Sequence, residues 1–477
     1  MENTLTILST LIAVPFIGFF FALTAKDDET TNGRNVFSVT ILTLVSSLFL
    51  LWRIAVNLKG GQEGLQLKET FHWLQNPHID IVFGIDIFSV LVIAAVHFAV
   101  IIGLVGARHQ GYVRKSMHLM TLLFLGMFNG LFVAADIYSF YIFFEALLLP
   151  LWLLIGMFGE IRRQPVILRF FIYNFLGALF LFIATAVLYH HEGHNLALDA
   201  VSRLQLNRHL ELCIWGAIFV SFLSRIPIWP FHYWISAINS AARNPLVFVI
   251  ANLIPLTGVY GFIRFCPQSV PESVGYYLSL LEIIAIISML FIALIGLINK
   301  DIQYKIFSYA TVYYILFLLG ALLPIDKILL NIGFSLFAFI IIIAALEVLT
   351  TYIDGEQDDK SVSAHGILCR VPRLSLLYSF LVLAAVGMPL SSMFLNNFVI
   401  LSHLFSYNIR SGILIMLSIV LVAGTLLQEL YVFKDNSGIT PDTACIMDLS
   451  KRMFVGLALV SGLLVVTFVN PLWFVGC

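Results

Sequence analysis

The segment "YIFFEALLLPLWLLIG", residues 141–156, carries one carboxylate, Glu145, within a stretch otherwise suited to lipid. A charge near the bilayer centre costs about 2.5–3.5 kcal/mol on insertion scales. Such an acid either pairs with a cation or binds a proton, because burial disfavours its charged form. Both states suit a proton relay, and a purely structural ion pair is the competing reading.

Further along, "SFLSRIPIWPFHYWISAINSAARNP", residues 221–245, sets Arg225 at the end of an apolar run, ahead of Pro227, Pro230 and His232. Two prolines within four residues, beside Trp229 and Trp234, predict a broken helix or a tight corner. Irregular backbone at membrane depth is tolerated only where protein or a wet cavity buries it. Arg225 is the natural charge partner for Glu145. It keeps its proton at any workable pH, so it can bias a carboxylate but carries protons poorly.

Three other stretches add candidates. "NKDIQYKIFSYATVYY", residues 299–314, contains Asp301 and Lys305 at a charged helix entrance, where the acid suits the helix dipole. "GMPLSSMFLNNFVILSHLF", residues 387–405, is polar for a span, with Asn396, Asn397 and His403. It either lines a hydrated path or joins helices through hydrogen bonds. Glu429, in "LLQELYVFK", and Glu347 are acids near the ends of their runs, and Glu282 is placed at an interface. His97 reads as a packed, hydrogen-bonded histidine rather than a relay, and "HHEGH" at 190–194 as interfacial histidines rather than a metal tract. The proton-path set is therefore Glu145, Arg225, His232, Lys305, Asn397 and Glu429, with Glu145 and Arg225 foremost.

These residues need apolar elements to hold them. Of 477 residues, 60% are hydrophobic and 11% charged, against about 25% charged in soluble domains. Mean hydropathy is +0.98. The composition defines an all-α polytopic membrane protein. Apolar runs able to span fall at 4–24, 35–55, 83–105, 115–134, 138–158, 166–190, 212–229, 244–265, 277–298, 306–324, 328–349, 372–390, 393–433 and 453–474. They predict about 14 transmembrane helices. The long 393–433 run is expected to hold a short piece followed by a full span.

Basic residues test this count. With the N-terminus outside, the inner connections hold Arg108, Arg114, Lys115, Arg162, Arg163, Arg169, Lys300, Lys305, Lys360, Arg370, Arg373, Lys434, Lys451 and Arg452. The outer ones hold fewer, namely Lys59, Lys68, Arg203, Arg208, Lys327 and Arg410. The positive-inside rule then places both termini outside. The N-terminal run lacks a basic n-region and reads as a retained first helix. The two longest connectors, near 57–82 and 350–371, are polar, so no soluble catalytic domain is expected. Five scattered cysteines suggest neither disulfides nor a metal site, and a net charge of −1 argues against nucleic acid. No nucleotide-binding motif is present, and no cofactor is expected.

Several stretches, taken in order, resemble the antiporter-like subunits of respiratory complex I, and most closely the branch of bacterial subunit M and mitochondrial subunit 4. "FGIDIFSVLVI" is similar to the family's third-helix entry, "FVAADIYSFYIFFEALLLPLWLLIG" to its fifth helix and "RFFIYNFLGALFLFIA" to its sixth. "RIPIWPFHYWI" resembles Lys-x-Pro-x-x-Pro-Leu-His-x-Trp-Leu, and "DIQYKIFSYATVYY" resembles Asp-Ile-Lys-Arg-x-x-Ala-Tyr-Ser-Ser-x-x-His.

The resemblance implies two inverted five-helix bundles with broken helices. Here these would be residues 115–265 and 277–433, flanked by N-terminal helices over 1–114 and a last helix over 453–477. It implies a central polar axis in which Glu145 matches the fifth-helix glutamate, which in the family pairs with a seventh-helix lysine. It also implies neighbouring membrane-arm subunits as partners, a lipid bilayer, and protons or sodium as the ion, with redox chemistry confined to other chains.

The departures from the pattern are specific. Arg225 stands at the seventh-helix lysine, Leu256 at the eighth-helix lysine, Tyr314 at the histidine closing Ser-x-x-His and Ile332 at the eleventh-helix histidine, while Gly-Glu-Phe reads Asn396-Asn397-Phe398. Tyrosine and asparagine hydrogen-bond, but neither stores a proton near neutral pH. Three functions stay open: a proton-translocating complex I subunit, a non-pumping structural or coupling paralogue, and a membrane subunit of a cation/proton antiporter or ion-driven uptake complex.

Overall fold

A computed structural model describes residues 6–26, 33–59, 64–75, 78–112, 114–158, 163–192, 196–197, 207–232, 234, 244–265, 272–323, 328–355, 368, 371–389, 391–434 and 448–469. The helices in chain order are α1 (Ile7–Thr24), α2 (Arg34–Asn57), α3 (Ile87–His109), α4 (Lys115–Val133), α5 (Ile137–Ala146), α6 (Leu148–Phe158), α7 (Arg163–Glu192) and α8 (Arg208–Arg225). They continue as α9 (Pro245–Phe265), α10 (Glu272–Ile298), α11 (Ile302–Ala321), α12 (Ile328–Gly355), α13 (Pro372–Val386), α14 (Ser392–Tyr407), α15 (Ile409–Lys434) and α16 (Lys451–Val469). α5 and α6 together make one span, interrupted at Leu147.

Among the described residues, 11 helical stretches are long and apolar enough to cross a bilayer. Three of the expected runs fall short of that measure. α8 carries Arg208, Glu211 and Arg225 within 18 residues. α13 has 15 residues, and the described apolar part of α16 is Met453–Gly462. The long 393–433 run divides into α14 and α15, of 16 and 26 residues. α13 stops where Gly387 takes φ +83°, a left-handed cap that a side chain would strain.

The 57–82 connector is not simply a polar loop. Residues Gln66–Gln75 (β1) and His78–Ile85 (β2) form an antiparallel hairpin. Consequently α3 begins at Ile87 rather than at 83. Asp86 ends the strand and caps the helix, its carboxylate accepting the Ser89 N–H at 2.9 Å. Asp136 repeats the device at α5, accepting the Ser139 N–H at 2.8 Å. The hairpin is fastened to the helices. Glu69 accepts the backbone N–H groups of Leu8 and Ser9 at 2.8 and 3.0 Å, and Asp136 accepts that of Val82 at 2.7 Å.

Burial sorts the helices into a centre and a rim. The most apolar window of α12 is entirely buried, and those of α9 and α11 are 94% and 89% buried, against 33% for α1 and α2. α12 is apolar all round and packs on α3, α9, α11, α13, α14 and α16. A helix hydrophobic on every face belongs inside. Outward faces of α2, α7, α10 and α15 expose large apolar residues such as Phe49, Phe182, Phe291 and Leu417, as lipid-facing helices do.

Candidate functional site

Glu145 lies one residue before the end of α5, at the interruption that separates α5 from α6. It is half-buried. Arg225 is the last residue of α8 and fully buried. Its Nη2 donates to the Phe144 carbonyl at 2.7 Å, and its guanidinium carbon lies 3.9 Å from the Phe144 ring centroid. The cation is therefore held by the residue next to Glu145. The two charges do not close into an ion pair. Glu145 Oε2 and Arg225 Nε and Nη1 have no hydrogen-bond partner among the described residues.

Close helix approach delivers Arg225 to this point. A Cβ at Gly258 of α9 would meet the Phe222 carbonyl at 2.6 Å and the Arg225 Cβ at 3.0 Å, so only glycine lets α8 end there. Beyond Arg225 the chain turns rather than continuing as helix. The Ser224 carbonyl accepts the Trp234 indole N–H at 3.1 Å, and the Trp229 N–H donates to Ser288 of α10 at 2.9 Å. This is the corner that the two prolines predict. His232 sits there half-buried, its ring edge-on to Phe291, with Nδ1 unpartnered among the described residues.

The second site joins two residues that the sequence offered separately. Lys305 of α11 and Glu429 of α15 form a direct ion pair, with both side chains buried. Asn397 of α14 donates to Tyr313 of α11 at 2.8 Å, two turns further along the same helix. Asp301 caps α11 through the Gln303 N–H at 3.0 Å. His97 is fully buried and holds the Ile93 carbonyl at 2.8 Å through Nδ1. Of the 190–194 tract, His190 and His191 lie in the last turn of α7, and His194 lies outside the described residues.

The sequence reading missed a third site. Arg264 Nη2 of α9 contacts Asp86 at 2.6 Å and donates to Ser89 Oγ at 2.8 Å, with Tyr260 under the guanidinium at 4.9 Å. The Tyr260 hydroxyl donates to the Phe132 carbonyl at 2.9 Å. Arg264 stands in the stretch "GFIRF", within a span, and that was its signal. Asp86 and Asp136 share the local pattern Asp-Ile-aromatic-Ser yet differ electrostatically. Burial pulls the Asp86 carboxyl up, but the charge and hydrogen bonds of Arg264 and Ser89 outweigh it, leaving the group below its ordinary value. Burial raises Asp136, and hydrogen bonds from Ser139 and Val82 only partly offset that.

Among the described residues, no group of three His, Cys, Asp or Glu side chains is placed to hold a metal ion. What these sites can do is hold, bias and exchange charge inside a helical membrane domain.

The fold and sites thus define a multi-span helical membrane protein with charged groups built into its interior. Residues 134–422 match the family described as NADH:quinone oxidoreductase/Mrp antiporter, TM, and the chain belongs to that family. It is 24% identical over 428 residues to the NADH-quinone oxidoreductase subunit M of Rickettsia bellii, covering 88% of this chain and 85% of that protein. Its fold matches a chain of the respiratory complex I of Thermus thermophilus with a TM-score of 0.85 at 21% identity, covering 98% of this chain and 97% of that one. It also matches a chain of an archaeal membrane-bound sulfane sulfur reductase with a TM-score of 0.81 at 15% identity, covering 98% and 76%.

Proposed function

We propose that this chain is an antiporter-like membrane-arm subunit of a proton-translocating NADH:quinone oxidoreductase, conducting ions along a polar axis while redox chemistry proceeds in other subunits. The observation that carries the reading is the unclosed Glu145–Arg225 pair at the α5–α6 interruption. A structural ion pair would satisfy both groups. Here Arg225 is anchored on a carbonyl, and Glu145 keeps an oxygen free to take and release a proton. Arg225 supplies a fixed positive field, which favours the carboxylate as the proton leaves. The ion is a proton, with sodium as the alternative cargo. In this reading residues 115–265 and 277–433 form the two inverted bundles, preceded by 1–114 and followed by 453–477. Both termini face the periplasm of a bacterial inner membrane. The partners are neighbouring membrane subunits.

One observation favours a second reading, a non-pumping structural or coupling paralogue. Leu256, at the position of the family's eighth-helix lysine, is completely buried and cannot handle a proton. The purified parent complex in proteoliposomes separates the two, with native gels confirming assembly. Pumping predicts that assembled Glu145→Gln and Arg225→Ala complexes move fewer protons per electron than wild type. An unchanged ratio in both would leave only the structural role.

A further inference from the structure

Glu347 lies two-thirds of the way along α12, the most enclosed helix of the molecule, and has no exposed surface. One carboxyl oxygen, Oε1, accepts a hydrogen bond from the side-chain amide of Asn252 on α9. The other, Oε2, has no partner among the described residues. No lysine, arginine or histidine lies within ion-pair distance among the described residues. An isolated carboxylate in such a place is the arrangement proteins avoid, because nothing repays its lost hydration. A neutral carboxylic acid fits better, because its carbonyl oxygen accepts from Asn252 and only an uncharged O–H is left without a partner among the described residues.

The surroundings are also specific. Asn252 stands one helical turn before Leu256, and its backbone carbonyl accepts the Tyr314 hydroxyl at 2.6 Å. α9, α11 and α12 thus meet at Asn252. Two of the positions at which the sequence lacks an expected titratable group, Leu256 and Tyr314, adjoin it. The groups facing Glu347 are neutral: Asn252 from α9 and Tyr314 from α11.

Resting on the proposed ion-conducting role, we propose that Glu347 is a proton-holding group of the translocation path, carrying a proton between the helices at the place where Leu256 cannot. The step moves no electrons. The O–H bond of the acid breaks as the proton passes to a water molecule entering between the helices, the Asn252 amide holds the resulting carboxylate, and the bond re-forms when a protonated water delivers the next proton.

The test uses the intact parent complex, reconstituted in vesicles, with two readouts: the proton-to-electron ratio and the infrared carbonyl band of protonated carboxylic acids. Glu347→Gln keeps the contact to Asn252 but cannot hold a proton. The expected result is loss of one acid carbonyl band and a fall in the ratio equal to that of Glu145→Gln. Should Glu347→Gln fail to assemble, Glu347→Asp takes its place, with a shifted band and an intermediate ratio expected. A wild-type ratio in the Glu347 variant, with Glu145→Gln impaired, overturns this inference alone. A wild-type ratio in both overturns the proposed function with it. An assembled variant that keeps every acid band shows that Glu347 was never protonated, and that also overturns it.

Discussion

Two charged pairs in this membrane domain, Lys305–Glu429 and Glu145–Arg225, solve the same problem in opposite ways. Lys305 and Glu429 touch, with both side chains buried, and each neutralises the other. Glu145 and Arg225 sit beside the same helix interruption without touching, the arginine held instead by the Phe144 carbonyl and ring. A closed pair holds charge still, and an open pair leaves a site whose charge can change. The difference teaches that buried charge is not by itself a mark of transport. What matters is whether a free valence remains.

The largest effect is expected where the pair is closed. Lys305→Met strands the Glu429 carboxylate between α11 and α15 and should destabilise the fold by about 3–5 kcal/mol, the usual cost of breaking a buried pair from one side. Lys305→Met combined with Glu429→Leu should recover most of that loss. Thermal unfolding of the purified complex measures both. A mild single variant, with no recovery in the double, would show that this pair is no more locked than the other.

At the open pair the expected loss is smaller. Arg225→Met removes a charged hydrogen bond and a cation–π contact, together about 2–3 kcal/mol. Arg225→Lys keeps the charge while losing the planar contact with the Phe144 ring, and should fall between wild type and methionine. A lysine can also release its proton, so pumping by an assembled Arg225→Lys complex should match or exceed wild type. A loss as deep as that of Arg225→Met would show that the planar fork, rather than the field, is what Glu145 requires.

The pattern of burial explains which parts of this arrangement were legible in the sequence. Of the 14 apolar runs, 11 correspond to spanning stretches among the described residues, because lipid imposes a length and a composition on each helix. Glu145, Arg225, Lys305 and Glu429 stood out because a charge in an apolar run has no trivial explanation. The pairing of Lys305 with Glu429 did not, since the two are 124 residues apart and nothing local encodes the meeting. The hairpin over Gln66–Ile85 was hidden by the polar residues of its first strand and by the end of its second, residues 83–85, which continues into the apolar run of α3. Arg264 was passed over because it lies near a helix end, where a basic residue usually reaches solvent or the helix dipole rather than a buried acid. Glu347 was seen but its depth was not, because an apolar run does not reveal which helix is central.

The smallest effects should appear at the repeated caps, and they sharpen the same contrast between a paired and an unpaired charge. Asp86 faces Arg264, which holds its carboxyl below the ordinary carboxylate range. A lowered acid adds stability that is complete above the unfolded-state value and lost as pH falls through the folded one. The advantage of wild type over Asp86→Asn, about 1–2 kcal/mol at neutral pH, should therefore shrink on acidification below about 4. Asp136 makes the same cap with no cation in its hydrogen-bond network, and burial raises its carboxyl instead. A raised acid has the opposite sign: its ionisation weakens the fold as pH rises through the folded value. Asp136→Asn keeps a cap acceptor for the Ser139 N–H and removes that charge, so at neutral pH it should cost less than Asp86→Asn. Hydrogen exchange at the Ser89 and Ser139 amides, followed across pH in the intact complex, reads each cap separately. Equal and pH-independent losses at the two would mean that Arg264 does not govern Asp86, and the contrast drawn between paired and unpaired charges would fail at its simplest instance.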